Sequence, residues 1–137
     1  MSLFPLPIPV IFLYAIAAAA VLIYLPYLLV AYARARIGYD IYAPRAMFDQ
    51  LPPYAQRAFW AHENSFEGFM VFAAAALMAY ITGVDSPLAG MVAIAFLFAR
   101  LLYSIFYILN IPILRSLMFG IASFSSGTLF YLSIMHN

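Results

Sequence analysis

Apolar positions dominate the chain in four long runs, about 8–33, 57–82, 88–109 and 113–135, and most polar residues gather between them. A hydrocarbon core about 30 Å thick needs roughly 20 apolar residues in helical conformation, so each run is predicted to span a membrane. The first run carries small residues (Ala15, Ala17 to Ala20) like those of a leader. No cationic segment precedes it, however, and it stays apolar past any cleavage point, which predicts a retained helix. Pro26 removes one backbone donor inside that helix and is expected to bend it, with a neighbouring helix satisfying the freed carbonyl.

The links between the runs differ. Residues 34–56 form a long polar loop that holds Arg34, Arg36, Asp40, Arg45, Asp49 and Pro52-Pro53, whereas Thr82 to Pro87 and Asn110 to Pro112 are tight turns. Short links force consecutive helices to lie antiparallel. The predicted fold is therefore all-α: one transmembrane domain over residues 1–137, four helices in an up-down-up-down bundle.

Composition sharpens this. With 68% hydrophobic and 8% charged residues in 137, the chain lies far from the roughly 45–50% and 25% of soluble domains. The net charge of +1 is too small to support nucleic acid as a partner. The absence of cysteine excludes disulfides, thiolate metal sites, iron–sulfur clusters and a cysteine nucleophile. Charge placement predicts orientation. Arg34, Arg36, Arg45, Arg57 and Arg115 fall at the ends joined by the first and third loops, which marks that face as cytoplasmic and puts both termini on the other side. The compact, lysine-free chain suits a bacterial inner membrane.

Ionisable groups within a span cost about 2.5–3.5 kcal/mol each on insertion scales and demand partners. Glu67, ten residues beyond Arg57, and Arg100, ten before Asn110, lie at matched depth near the midplane, which predicts an ion pair within one chain or between two. At 100° per residue, Arg57, Glu63, Asn64 and Glu67 share one broad face of the second helix, and His62 stands nearly opposite Asn64. Arg100, Tyr103, Ser104 and Tyr107 recur at i, i+3, i+4 and i+7 on the third. The two stripes converge toward Arg115 and Ser116 and should line a cleft for a small charged molecule with an apolar companion. Each residue also has a plainer reading. The Glu67 to Arg100 pair serves equally well as a structural clamp, and an arginine such as Arg115 beside a loop ordinarily snorkels to the interface. His62 and His136 lie at opposite ends of the bundle, too far apart to share a haem or a zinc ion. No metal or haem is expected.

The string Arg57-Ala58-Phe59-Trp60-Ala61-His62-Glu63-Asn64-Ser65-Phe66-Glu67, then Phe98 to Tyr107 with Arg-x-x-Tyr-x-x-x-Tyr, then Pro112 to Ser116, resembles the MAPEG family. These are the membrane-associated proteins of eicosanoid and glutathione metabolism, and the resemblance runs from about Arg34 to Ser116. It implies a homotrimer with glutathione as co-substrate, held in a bent conformation between subunits toward the cytoplasmic side. On the matching positions Asn64 and Glu67 would contact the peptide's backbone and amine. Arg100 would pair with Glu67, Tyr103 and Tyr107 would line the pocket, and Arg34 would reach a carboxylate. Arg115 would stabilise the thiolate with help from Ser116. Eicosanoid-making members resemble one another in an arginine at the position of Trp60, and an aromatic residue often follows the glutamate where this chain has Gly68. The departures argue against leukotriene and prostaglandin synthesis and leave Arg57 as the substitute cation.

Two functions are carried forward. The first is a membrane glutathione transferase or glutathione-dependent peroxidase acting on apolar electrophiles or hydroperoxides. The second is a non-catalytic scaffold or lipid- or ligand-binding protein on the same fold. A transporter fits less well, because no paired broken helices appear and the polar stripe ends near the midplane.

Overall fold

The computed structural model describes residues 3–137, and these are helical except at the links and the two ends. Helix α1 spans Ile8–Ile37, a 3₁₀ helix Pro44–Gln50, α2 Pro53–Thr82, α3 Pro87–Ile108 and α4 Pro112–His136. All four α-helices are long and apolar enough to cross a membrane. The bundle is antiparallel, as the short links require. The ends of the first two helices differ from the sequence expectation: α1 carries Arg34 and Arg36 on its last turn, and α2 begins at Pro53, so the polar link is shorter and itself partly helical. Proline at the first helical position costs no hydrogen bond there, because that N–H has no partner within a helix in any case.

Glycine and asparagine end the two middle helices in the same way. Gly83 adopts φ 79°, with Val84 N–H donating to Ala79 O at 3.0 Å and Gly83 N–H to Tyr80 O at 3.2 Å. Asn110 adopts φ 61°, with Ile111 N–H donating to Phe106 O at 2.9 Å and Asn110 N–H to Tyr107 O at 3.1 Å. Both are Schellman closures, which pair otherwise orphaned carbonyls and reverse the chain within a few residues. The second reversal fixes where α4 starts and thus where Arg115 stands.

Packing relies on small residues. Ala58, Ala61, Ala75, Ala76 and Ala79 of α2 and Ala89, Ala93 and Ala99 of α3 are buried, which lets backbones approach closely where no water drives association. Phe72 and Phe96 stack at 3.9 Å between centroids, nearly parallel, at the centre. Large apolar side chains such as Tyr14, Val21, Phe98, Ile113 and Phe124 point outward instead, as lipid permits. Helix α1 packs chiefly on α2, and α4 chiefly on α3, while α1 and α4 hardly meet. They occupy opposite corners. α1 runs on unbroken through Pro26, which leaves the Leu22 carbonyl without its helical donor, and the neighbouring carbonyl of Ile23 meets His62 Nδ1 of α2 at 2.7 Å.

Candidate functional site

Helix α2 presents two different faces to two sets of cavities. On the side of α3 and α4, a cavity of about 360 Å³ is lined by Trp60, Glu63, Asn64, Glu67, Tyr103 and Tyr107. It adjoins one of about 280 Å³ walled by Asn64, Tyr103, Tyr107, Arg115, Ser116 and Phe119. Seven sequence-predicted residues meet around this region: Asn64, Glu67, Arg100, Tyr103, Tyr107, Arg115 and Ser116. Heptad-like spacing puts Tyr103 and Tyr107 on one face of α3, edge to face at 5.6 Å. The Arg115 guanidinium lies over the Tyr107 ring at 4.6 Å. Arg115 is in the first turn of α4, where the helix dipole disfavours a cation by about 0.3–1 kcal/mol and favours an anion. A cation kept there against the dipole, over an aromatic face and open to a cavity, is suited to hold an anion.

Asn64 stands at the junction. Its Nδ2 donates to Glu67 Oε2 at 3.3 Å, and its Oδ1 is buried with no partner among the described residues. A buried acceptor left unpaired costs about 1–3 kcal/mol, and a ligand amide N–H would remove that cost.

Within the chain Glu67 and Arg100 do not form an ion pair among the described residues. The depths match, as expected, but the azimuths do not. The residue of α2 that faces the guanidinium is Gly68, where an added Cβ would lie 3.5 Å from Arg100 Cζ, and Glu67 is turned outward by one residue's rotation. Arg100, only 4% exposed, instead donates from Nη2 to Ser65 Oγ at 3.2 Å and lies 4.0 Å over the Tyr103 ring. A ring face within about 6 Å contributes on the order of 2 kcal/mol to a desolvated cation. Ser65 is buried, and its hydroxyl donates a hydrogen bond to Ala61 O at 2.7 Å. Nothing in the sequence pattern marks Ser65 as the acceptor except that it is a polar residue on the small-residue face of α2.

The opposite face of α2 meets α1. Tyr24, Tyr27, Arg34, Arg45, His62 and Glu63 help to line a cavity of about 620 Å³ there. Arg34, on the last turn of α1, is 3% exposed. Its Nη1 donates to Tyr27 Oη at 3.3 Å, while its Nε has no partner among the described residues. His62 packs among the rings of Tyr24, Tyr27 and Phe66. Arg45, a cation that sequence reasoning assigned to the loop and to topology alone, joins this cavity through the 3₁₀ helix. Arg34 is therefore separated from the other predicted residues by the thickness of α2. Arg57 lines none of these cavities; its Nε donates to Ile108 O at 3.0 Å and caps the last turn of α3.

The MAPEG family model matches residues 11–135, nearly the whole chain. The chain belongs to the MAPEG family. No curated protein and no solved structure gives a significant match. For a MAPEG protein, two departures have geometry here: Trp60 reaches over to Tyr107 at 6.4 Å between ring centroids and to Phe48 at 5.6 Å, and Gly68 leaves space beside Arg100.

Proposed function

We propose that this MAPEG protein is a membrane glutathione transferase or glutathione-dependent peroxidase, assembled as a homotrimer with its sites between subunits. The observation that carries the reading is the pair of unpartnered buried groups on opposite faces of α2: Asn64 Oδ1, an acceptor, and Arg34 Nε, a donor. A peptide with amide N–H groups and carboxylates complements both, and one chain cannot bring them together. Two copies set side by side can, with Arg34 and Arg45 from one facing Asn64, Glu67 and Arg115 from the other.

In this arrangement Arg34 holds a carboxylate of glutathione and Glu67 its ammonium group. Arg115 and the N-terminus of α4 favour the ionised thiol, because an adjacent cation lowers a thiol's pKa. The thiolate then attacks an electrophilic carbon and displaces its leaving group. With a hydroperoxide it takes the terminal oxygen and releases an alcohol, and a second glutathione converts the resulting sulfenic acid to the disulfide and water. Ser116, next to Arg115 on the same cavity wall, orients the sulfur in this reading. The clustering of Arg34, Arg36, Arg45, Arg57 and Arg115 at one end of the bundle supports a cytoplasmic site with both termini opposite, and the compact, lysine-free chain supports a bacterial inner membrane.

One observation favours a second reading. The walls on the α3 side carry two carboxylates, Glu63 and Glu67, and Trp60 stands where a carboxylate-binding arginine would, which weakens the fit to an anionic peptide and supports a non-catalytic ligand-binding or scaffold protein. Thermal stability of the detergent-purified protein against rising glutathione separates the two. A ligand that binds only the folded protein adds RT ln(1 + [L]/Kd), about 2.7 kcal/mol at 100 Kd. A clear rise in Tm with glutathione and S-hexylglutathione supports the enzyme; no rise at millimolar glutathione rules it out and leaves the scaffold.

A further inference from the structure

The mechanism proposed for the site leaves His62 without a task, yet its ring joins α2 to α1 at a particular place. Nδ1 lies 2.7 Å from the carbonyl oxygen of Ile23, 39 residues earlier in the chain. A carbonyl only accepts, so Nδ1 carries the proton and the imidazole is the donor. The bond falls in the turn where Pro26 withdraws a backbone donor from α1. It also ties the ring down. Held there, the imidazole lies 4.9 Å from the Tyr27 ring and 5.6 Å from the Tyr24 ring, and 5.3 Å from Phe66, edge to face. Tyr27 in turn reaches two turns along α1. Its Oη accepts from Arg34 Nη1 at 3.3 Å, and the Arg34 guanidinium carbon lies 5.9 Å from its ring centroid. Arg34 is buried, pairs with no carboxylate among the described residues, and keeps Nε unpartnered. A line of contacts therefore runs from the Ile23 carbonyl through His62 and Tyr27 to the one buried cation on this side of α2.

We propose that His62 is a positioning residue for Arg34: bonded to Ile23 and seated against Tyr27, it fixes the phenol, and the phenol fixes the guanidinium with Nε left for a ligand carboxylate. His62 acts through Tyr27 and not on the ligand. The need for such a relay lies in the arginine itself. A guanidinium recognises a carboxylate through a rigid fork of donors, but the fork sits on a long flexible stem, so affinity depends on how well the stem is aimed. The backbone does not need the imidazole. Val30 and Ala33 of α1 are buried in one cluster with Ala55 and Ala58 of α2, which keeps the helices together when the ring is removed. Only the side chains lose their setting. The carboxylate at Arg34 rests on the glutathione reading, whereas the relay from Ile23 to Arg34 does not.

The test measures binding of S-hexylglutathione, and of its diethyl ester, which lacks both carboxylates, to the detergent-purified wild type, His62→Leu, Tyr27→Phe, Arg34→Ala and the double variant His62→Leu/Arg34→Ala. A hydrogen bond to a charged group is worth roughly tenfold or more in binding, and lost aim forfeits part of it. His62→Leu and Tyr27→Phe should each weaken the free acid about five- to tenfold and leave the ester unchanged. In the Arg34→Ala background His62→Leu should have no further effect. An equal loss for acid and ester, or a loss that persists without Arg34, overturns the proposal, because His62 then supports the bundle at large or touches the ligand directly. An unchanged affinity for the free acid overturns it as well. If His62→Leu fails to assemble, His62→Phe keeps a ring beside Tyr27 without the donor to Ile23, and the same outcomes apply. If neither glutathione nor S-hexylglutathione binds the wild type, the glutathione reading fails by itself. Nitrogen-15 NMR of the arginine Nε–H groups then decides the relay. The chain has six arginines, and the signal absent from Arg34→Lys belongs to Arg34. Displacement of that signal by both His62→Leu and Tyr27→Phe, with the Arg115 signal unmoved, upholds the relay; an Arg34 signal unmoved by His62→Leu overturns it.

Discussion

Replacing Arg115 by alanine isolates charge from architecture. Among the described residues the Arg115 side chain makes no hydrogen bond, and its guanidinium lies over the Tyr107 ring at 4.6 Å. Removing it loses a partly exposed cation–π contact of about 0.5–1 kcal/mol. It also relieves an unfavourable charge in the first turn of α4 by about 0.3–1 kcal/mol, so Tm should hardly move. The effect on a bound thiol is larger. A thiolate about 4 Å from the guanidinium gains about 4 kcal/mol at an effective dielectric constant of 20, which is an upper figure for a chamber open to water. Halved for solvent, it corresponds to between one and two pH units at 1.36 kcal/mol each. The sign follows from charge. The cation favours the anionic form and pulls a thiol that ionises near 8.5 down to about 7, and the variant returns it to about 8.5.

At pH 7 about half the bound glutathione is then thiolate in the wild type and about 3% in Arg115→Ala, and with a Brønsted coefficient of about 0.4–0.5 turnover falls about three- to fourfold and recovers above pH 9. The loss is less than the ratio of thiolate fractions because the more basic thiolate is the better nucleophile. The assay is the pH profile of conjugation with an aryl electrophile, beside the ultraviolet absorbance of bound thiolate and the oligomeric state in detergent. Unchanged turnover at pH 7 in an assembled variant refutes the reasoning and returns Arg115 to an interface anchor. A lower turnover with an unshifted profile also refutes it, because the arginine would then orient substrate without ionising the thiol.

Two further outcomes follow from the packing. Ser65→Ala strands the buried Arg100 Nη2, whose hydrogen bond spans 3.2 Å, and should cost about 1.5–3 kcal/mol in a thermal scan; Arg100→Met should restore most of that loss in the double variant, and equal additive losses would mean the two side chains are not coupled. At Asn110, φ 61° predicts that glycine is tolerated within a few tenths of a kcal/mol whereas valine costs roughly 1–3 kcal/mol, read as Tm, with the opposite order refuting the Schellman closure before α4.

The sequence makes the helices legible and their ends less so, for one physical reason. Hydropathy reports which solvent a segment faces, while helix length is set by where backbone hydrogen bonds stop. Arg34 and Arg36 at the end of α1 and Gln56 and Arg57 near the start of α2 are polar because they reach the interface, yet the helices continue through them. A similar distinction governs the site. Counting residues gives depth, and so Glu67 and Arg100 were legible as neighbours in height. Azimuth depends on how α2 and α3 are rotated in their packing, and small residues at Ala61, Ser65 and Gly68 turn the serine and the glycine toward Arg100, not the carboxylate. Periodicity did separate His62 from Asn64, and the structure gives that separation its meaning: α1 packs behind His62 and α4 lies beyond Asn64. Arg34 and Arg115 belong to those two helices, and because these occupy opposite corners no rearrangement of one bundle joins them. On the proposed reading the residues that the family pattern groups together share one ligand only across two copies, so oligomer integrity is a precondition of activity, and the one unpaired buried donor and one unpaired buried acceptor among the described residues are what neighbouring copies would each contribute to that ligand.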